Sequence, residues 1–358
     1  MYSDTSEQCR RSQTRSSYSW LIALVCLVCP QSGFAGYSSL YVFGDSLSDS
    51  GNNAVVLAPN VTPVPITGNA FIPTYPYASG HYTNGEVWAQ TLASMFGLNA
   101  KPSLLGGTDF AFGGAQTGPL GPISLSRGAV PPSLETQVAL FLAQHGDVAP
   151  RTALYIIAGG GEDVLHALTA TEGCNNDAGC IHRVIRSTAA SFAENIGTIV
   201  STLKFAGASK IVVWNVPNVG DAPATRALGV SVLATAIASS MNLVLPSVIG
   251  EDPDVKLFDA FGLLNDVIDD PGAYGLSNVT DACAQFVSCD PPRYLFWDGI
   301  HPTSAANPII SEAIFALVTG VPEPPTRHCP GRYATSAPFN GSFDLATSIP
   351  AQRRCSRE

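Results

Sequence analysis

The sequence predicts an α/β layered fold built on a parallel sheet, and three observations lead there. Between Gly36 and Gly320, short apolar runs alternate with stretches of helical character, the order that produces parallel strands joined by right-handed crossovers. The runs are almost continuously apolar, as strands buried on both faces of a sheet must be. The 358-residue chain is 46% hydrophobic and only 13% charged, enough apolar matter for a sizeable core. That balance excludes a disordered or collagen-like chain despite Gly 33 and Pro 27. No internal repeat or interdomain linker interrupts the pattern, so one domain is the simplest organisation.

Strands are expected at 39–43 (SLYVF), 153–158 (ALYIIA), 210–215 (KIVVWN) and 255–258 (VKLF), with 109–112 (DFAF) a weaker fifth. Helices are expected at 86–96, 133–144, 181–205, 222–248 and 303–319. Gly207 and Gly320 follow the last apolar residues of two of these, where a helix C-terminus wants a residue free to turn left-handed. Residues 54–82 are rich in Pro, Gly, Thr and aromatics and carry no period. They read as a long loop beyond the first strand's C-terminal end, where open α/β sheets bind ligands, and are expected to line a substrate pocket.

The two ends differ from this middle. Arg10, Arg11 and Arg15 precede the apolar run WLIALVCLVC, and Pro30, Gly33 and Ala35 follow it. A positive start, a short apolar stretch and small residues are the parts of a secretory signal peptide, expected over 1–35. No later stretch holds 18 or more continuous apolar residues, so the exported chain is expected to be soluble. Residues 321–358 open with VPEPPTRHCPGRY and show no period, predicting a disordered or loosely stapled Pro/Arg-rich tail. Val321-Pro322-Glu323-Pro324 is similar to the start of a bacterial sorting signal but lacks the apolar helix that would follow, so membrane retention does not follow. Asn60, Asn278 and Asn340 head glycosylation sequons that matter only in a glycosylating host.

Of nine cysteines, Cys9, Cys26 and Cys29 fall in the leader; the others pair closely as Cys174 with Cys180, Cys283 with Cys289, and Cys329 with Cys355. An even number in an exported chain reads as disulfides. A zinc site formed by His166, Cys174, Cys180 and His182 is the rival, disfavoured because its Cys spacing exceeds that of a usual zinc knuckle. The formal charge of −10 repels phosphate backbones and argues against nucleic acid as partner.

Two segments carry residues able to do chemistry. In YVFGDSLSDSGNN an apolar strand runs into Gly44, Asp45 and Ser46, a turn that can hold a hydroxyl at the sheet edge beside backbone N–H groups. The same residues also suit an ordinary turn capping the next helix. In YLFWDGIHPT, Asp298 and His301 are three apart, so that one turn brings both to the same side. The carboxylate can then accept from one imidazole nitrogen and leave the other as a base. His81, His145, His166 and His182 lack such a carboxylate and read as surface or packing residues.

Together these segments resemble the GDSL esterase/lipase family, the SGNH hydrolases: FGDSLSD at 43–49, GHYTNG at 80–85, DFAFGGA at 109–115, LYIIAGGGEDVL at 154–165, NVPNVG at 215–220 and WDGIHPT at 297–303. The resemblance spans Leu40 to about Thr319 and implies a three-layer α/β/α sandwich with a flavodoxin-like sheet in residues 36–320. It implies a carboxylic ester hydrolase with Ser46 as nucleophile, His301 as general base and acid, and Asp298 orienting it. The backbone N–H groups of Ser46 and Gly114 would form the oxyanion hole. Where the family supplies a hole-forming Asn, this chain has Glu162. An ionised carboxylate there would repel the oxyanion; reduced but real activity is the expectation. The resemblance calls for no metal or organic cofactor. The implied partner is a small-molecule or lipid ester, with transient contact at a membrane or lipid surface. Deacetylation of carbohydrates, or binding without catalysis on the same fold, are the alternatives.

Overall fold

The computed structural model describes residues 36–57, 79–119, 121 and 130–321. The leader, most of the 54–82 segment, the pair Cys329 and Cys355, and nearly all of the tail lie outside the described residues.

In chain order the elements are β1 (Leu40–Gly44), α1 (Asn52–Leu57), α2 (Trp88–Met95), α3 (Leu134–Gln144), β2 (Leu154–Ala158), α4 (Gly161–Glu172) and α5 (Ala178–Phe205). Then follow β3 (Ile211–Trp214), α6 (Pro223–Ala227), α7 (Ser231–Val244), α8 (Pro246–Ile249), β4 (Val255–Phe258), α9 (Ala260–Asp269), β5 (Asn278–Ala282), β6 (Tyr294–Phe296) and α10 (Asn307–Thr319). The main sheet runs β1-β2-β3-β4, all parallel, with Leu40 opposite Leu154 and Ile211 opposite Val255. Strand periodicity divides the interior into two layers. Tyr41, Phe43, Tyr155, Ile157, Ile211 and Val213 face a core closed by α3, α4, α5 and α7. Their neighbours Leu40, Val42, Leu154, Ile156, Val212 and Trp214 face a second core closed by α2, α9 and α10. This is the three-layer α/β/α sandwich. β4 is the sheet's partly exposed edge, where exposed Lys256 donates to the Leu317 carbonyl at the end of α10.

The weak fifth strand is only partly formed. Val42 donates to Thr108, and Phe110 and Phe112 donate to Val42 and Gly44, so 108–112 lies beside β1 as an irregular ladder. Counted in chain order this gives the flavodoxin-type order 2-1-3-4-5. The ladder breaks because the Gly44 N–H donates instead to the Gln137 side-chain oxygen at 2.9 Å, while the Gln137 amide donates back to the Gly44 carbonyl.

Several helices depart from the sequence expectation for local reasons. The stretch expected as one helix over 222–248 forms α6, α7 and α8, interrupted by Gly229 at φ 71° and by Pro246 at the first position of α8. Ser231–Ile249 is apolar and long enough by composition to cross a membrane, yet Ala234, Ile237, Ala238 and Met241 of α7 are buried in the first core. α10 begins at Asn307 rather than 303: Thr303 heads a turn in which its side chain accepts from the Ala306 N–H and its carbonyl from the N–H groups of Ala306 and Asn307. α4, α9 and the parallel pair β5–β6 were not anticipated. α4 hides in a Gly-Gly-Gly run, where Gly160 takes φ 110° and a Cβ would meet Val216 at 2.6 Å. α9 is started by Asp259, which accepts from the Gly262 N–H.

Cys174 joins Cys180 and Cys283 joins Cys289, each with Cα atoms 5.5 Å apart. The first bridge consumes both thiolates of the rival zinc site.

Gln137 is fully buried, and its loss leaves the Gly44 N–H without a partner. Gln137→Ala is expected to lower unfolding free energy by about 2–4 kcal/mol in urea denaturation, from one orphaned buried donor plus a core void. A change below about 0.5 kcal/mol, the scale of an ordinary surface substitution, would show that the clasp is dispensable.

Candidate active site

The site lies at the C-terminal ends of β1 and β2. β1 ends at Gly44, where any Cβ would sit 2.6 Å from the Ala158 carbonyl oxygen and 2.7 Å from Ser48 Oγ. Only glycine lets the chain turn against β2 there. The turn is then locked by backbone bonds from Ser48 and Asp49 to the Asp45 carbonyl, and by the Leu47 N–H donating to the Asp45 carboxylate. Asp49 starts α1: its carboxylate accepts from the N–H groups of Gly51, Asn52, Asn53 and, across the site, Gly113. Ser46, between these anchors, is buried but faces the cleft beside it.

The second half comes from β6 and the loop after it. Trp297 donates to the His301 carbonyl and Thr303 to the Leu295 carbonyl, folding 295–303 back on itself. The three-residue spacing of Asp298 and His301 therefore works in a tight reverse loop rather than a helical turn. One Asp298 oxygen accepts from the N–H groups of Ile300 at 2.8 Å and His301 at 2.6 Å, and the other lies 2.7 Å from His301 Nδ1. His301 Nε2 lies 2.8 Å from Ser46 Oγ, across 255 positions of sequence. Ala224 at the start of α6 donates to the Gly299 carbonyl, and Thr83 and Asn84 bind the backbone at Pro302 and Ser304, so the loop is braced from both sides.

Ser46, Asp298 and His301 are thus brought together, all at most 6% exposed. The arrangement can draw a proton from a hydroxyl onto an imidazole whose other nitrogen is held by a carboxylate. Gly114 follows Gly113 at φ 83°. Among the described residues, the backbone N–H groups of Ser46 and Gly114 donate to nothing else in the chain. Tyr82, part of the GHYTNG segment but given no role of its own from the sequence, packs 5.3 Å from the His301 ring and accepts from the Asn53 amide. Gly113 makes room for it, since a Cβ there would stand 2.2 Å from the tyrosine ring. Gln137 carried no sequence signal, whereas Asp49 could have been read as a helix cap.

Glu162 occupies the first turn of α4 and shares the cleft with Ser46, His301 and Asp45. Burial, and then the neighbouring Asp45 carboxylate, push its pKa up to about 7, against a smaller opposing pull from His301. Burial likewise raises Asp45 to about 6. Asp163 is raised by burial too, but is fully engaged by the N–H and hydroxyl of Thr117. Near neutrality Glu162 is therefore poised between an acid that can donate a proton and an anion that cannot.

Three other described histidines sit apart from this chemistry. His145 bridges Tyr41 and the Phe141 carbonyl, His81 contacts the Ser50 carbonyl, and His166 is exposed. The segment 54–82 does not line the cleft with any of its described residues. No group of three or more His, Cys, Asp or Glu able to hold a metal occurs among the described residues.

Because the folded state holds a proton on Glu162 more tightly than the unfolded chain, stability is lost as pH rises from about 4.5 to about 7. Glu162→Gln is expected to flatten that loss by on the order of 1–3 kcal/mol when urea denaturation at pH 5 and pH 8 is compared. Identical pH dependence in both proteins would place the Glu162 carboxyl in water.

A family model for GDSL-like lipase/acylhydrolase proteins matches residues 40–314. Esterase EstA of Pseudomonas aeruginosa is 26% identical over 329 residues, 81% of this chain and 48% of that protein. A GDSL esterase/lipase of Arabidopsis thaliana is 26% identical over 324 residues, 77% of this chain and 84% of the relative. The chain spans about half the length of the Pseudomonas relatives it matches. Among solved structures, a carbohydrate acetylesterase from Sinorhizobium meliloti aligns with a TM-score of 0.44 and 16% identity, over 79% of this chain and 99% of its own.

Proposed function

The chain belongs to the GDSL-like lipase/acylhydrolase family, and from that premise we propose that it is an exported serine hydrolase cleaving carboxylic esters through an acyl-enzyme. The observation that carries the reading is the unbroken line Asp298–His301–Ser46, with contacts of 2.7 and 2.8 Å. His301 Nε2 takes the Ser46 proton as Oγ attacks the ester carbonyl, then returns it to the leaving alcohol. Water, activated by the same nitrogen, releases the acid. Asp298 fixes the Nδ1–H tautomer and stabilises the imidazolium. The N–H groups of Ser46 and Gly114 receive the oxyanion, with Glu162 as third donor only while protonated.

Phosphonate labelling tests the nucleophile. A fluorophosphonate probe is expected to label the wild-type chain and not Ser46→Ala; no Ser46-dependent labelling at pH 6 or pH 8 would favour a binding protein on this fold. The third donor is tested by pH. Wild-type kcat/KM is expected to fall as pH climbs past about 7 and Glu162 ionises. Glu162→Asn is expected to raise kcat by about tenfold or more at pH 8, within the range one oxyanion donor supplies. An unchanged or lower kcat would remove Glu162 from the hole.

Export is supported by the Arg cluster, apolar run and small residues before Gly36, and by the two disulfides, which persist in oxidising compartments. The chain recovered outside expressing cells is expected to start near Gly36 on N-terminal sequencing; a start at Met1 would contradict the leader.

A further inference from the structure

Beside Ser46 and His301 a cleft is walled by the loops after β3 and β6 and by residues of the second core. Its polar lining is Asp45, Ser46, Glu162, His301, Asn218 and the indole of Trp214, whose buried N–H has no partner; Asn218 is occupied by Asp221, Asn265 and Thr235. Its deep wall includes Trp214 of β3, Phe258 of β4, Leu263 and Val267 of α9, Leu295 of β6 and Ile309 of α10. All six of these are under 9% exposed and belong to the core that α9 and α10 close over the sheet. Protein cores normally pack without gaps. A gap that is polar where it reaches the nucleophile and mostly apolar beyond is shaped for a ligand that is polar at one end and largely hydrocarbon for the rest.

We propose that this cleft holds the acyl chain of the substrate, and that the chain length it accepts is medium, hexanoyl to octanoyl, rather than acetyl. The assignment rests on the reading of Ser46 as nucleophile. On attack the Oγ–carbonyl carbon bond forms, the carbonyl carbon–alkoxy oxygen bond breaks, and the alkoxide leaves with the proton from His301. Water then adds to the same carbon, the bond to Oγ breaks, and the proton returns to Ser46 through His301. The acyl group is the part that stays throughout, whereas the alcohol must depart before water enters. An alcohol seated in the cleft would have to leave past its own acyl-enzyme. An acyl chain seated there puts the alcohol on the other side of the carbonyl, so that it can depart before water enters. Sugar hydroxyls would lose their hydrogen bonds to water against this wall and find few in return.

The test uses p-nitrophenyl acetate, butyrate, hexanoate and octanoate on the full chain. Each buried methylene favours the transition state by about fourfold, so kcat/KM is expected to rise at least tenfold from acetate to hexanoate. Leu264→Trp, which pushes an indole into the cleft from a half-buried lining position of α9, is expected to collapse the hexanoate-to-acetate ratio toward one. A second measurement needs no turnover. Octanoate, but not acetate, is expected to raise the melting temperature of Ser46→Ala, and Leu264→Trp in that background is expected to abolish the rise. A flat chain-length series, or a dependence on alcohol length at constant acetyl, overturns the assignment while leaving the hydrolase standing. If no ester is turned over, the octanoate shift decides: its presence keeps the cleft and sinks the nucleophile, and its absence sinks both.

Discussion

Everything at the site depends on how β1 stops. A strand in the middle of a parallel sheet has no local reason to end, and its neighbour β2 runs in register with it to the same end, Gly44 opposite Ala158. Two constraints stop it. The missing side chain at Gly44 allows the backbone to press against the Ala158 carbonyl and Ser48, and Gln137 supplies from α3 the hydrogen bonds that a further strand residue would have made. The chain can then leave the sheet without abandoning a buried N–H, which would cost about 1–3 kcal/mol. Ser46 is the second residue past that point, so the direction of its hydroxyl is set by a glycine and by a glutamine distant in sequence.

The opposing half is held with comparable economy. Asp298 uses one oxygen to close its own loop and the other to meet His301, so the carboxylate that orients the imidazole also fixes the backbone carrying it. Against this ordered pair stands the crowd of acids at α4 and after β1. Asp45, Glu162 and Asp163 gather here: after burial, Asp45 and Asp163 raise the cost of ionising Glu162, and Asp163 does the same to Asp45. The helix N-terminus of α4 offsets part of that cost. An asparagine at 162 would leave two acids there instead of three. The glutamate makes the electrostatics of the site a function of pH in a range where most carboxylates are silent.

How much of this was legible in the sequence follows from what kind of force shapes each part. Strands β1 to β4 announce themselves because burial on both faces demands continuous apolar runs, and Ser46, Asp298 and His301 stand out because few residue types can do their chemistry. The pair β5–β6 was not legible: NVTDA is polar, and its pairing with YLF is decided by tertiary contacts. The 222–248 stretch reads as one helix because apolar spacing outweighs a single Gly and a single Pro in the pattern, whereas in the folded chain each breaks the backbone hydrogen-bond ladder. Gln137 looked like any polar residue on an amphipathic helix. Its role exists only once α3 is laid against the end of β1.

The elements that sequence reading missed or misplaced are the ones around the cleft. α9, β6 and the start of α10 all contribute to its wall, and all are short or preceded by irregular backbone. The second core is closed by elements weakly specified on their own, and it is the core that contains the gap. The first core, packed by the long α5 and the regular α3 and α7, is built from the segments whose helical period was clearest. The first core's side holds the Ser46 turn in place through Gln137 of α3, while the other side keeps room beside the nucleophile. Leaving a void lined by Leu, Val, Ile and Phe carries a stability cost that grows with its size, and the well-packed layer across the sheet is what lets the fold bear it.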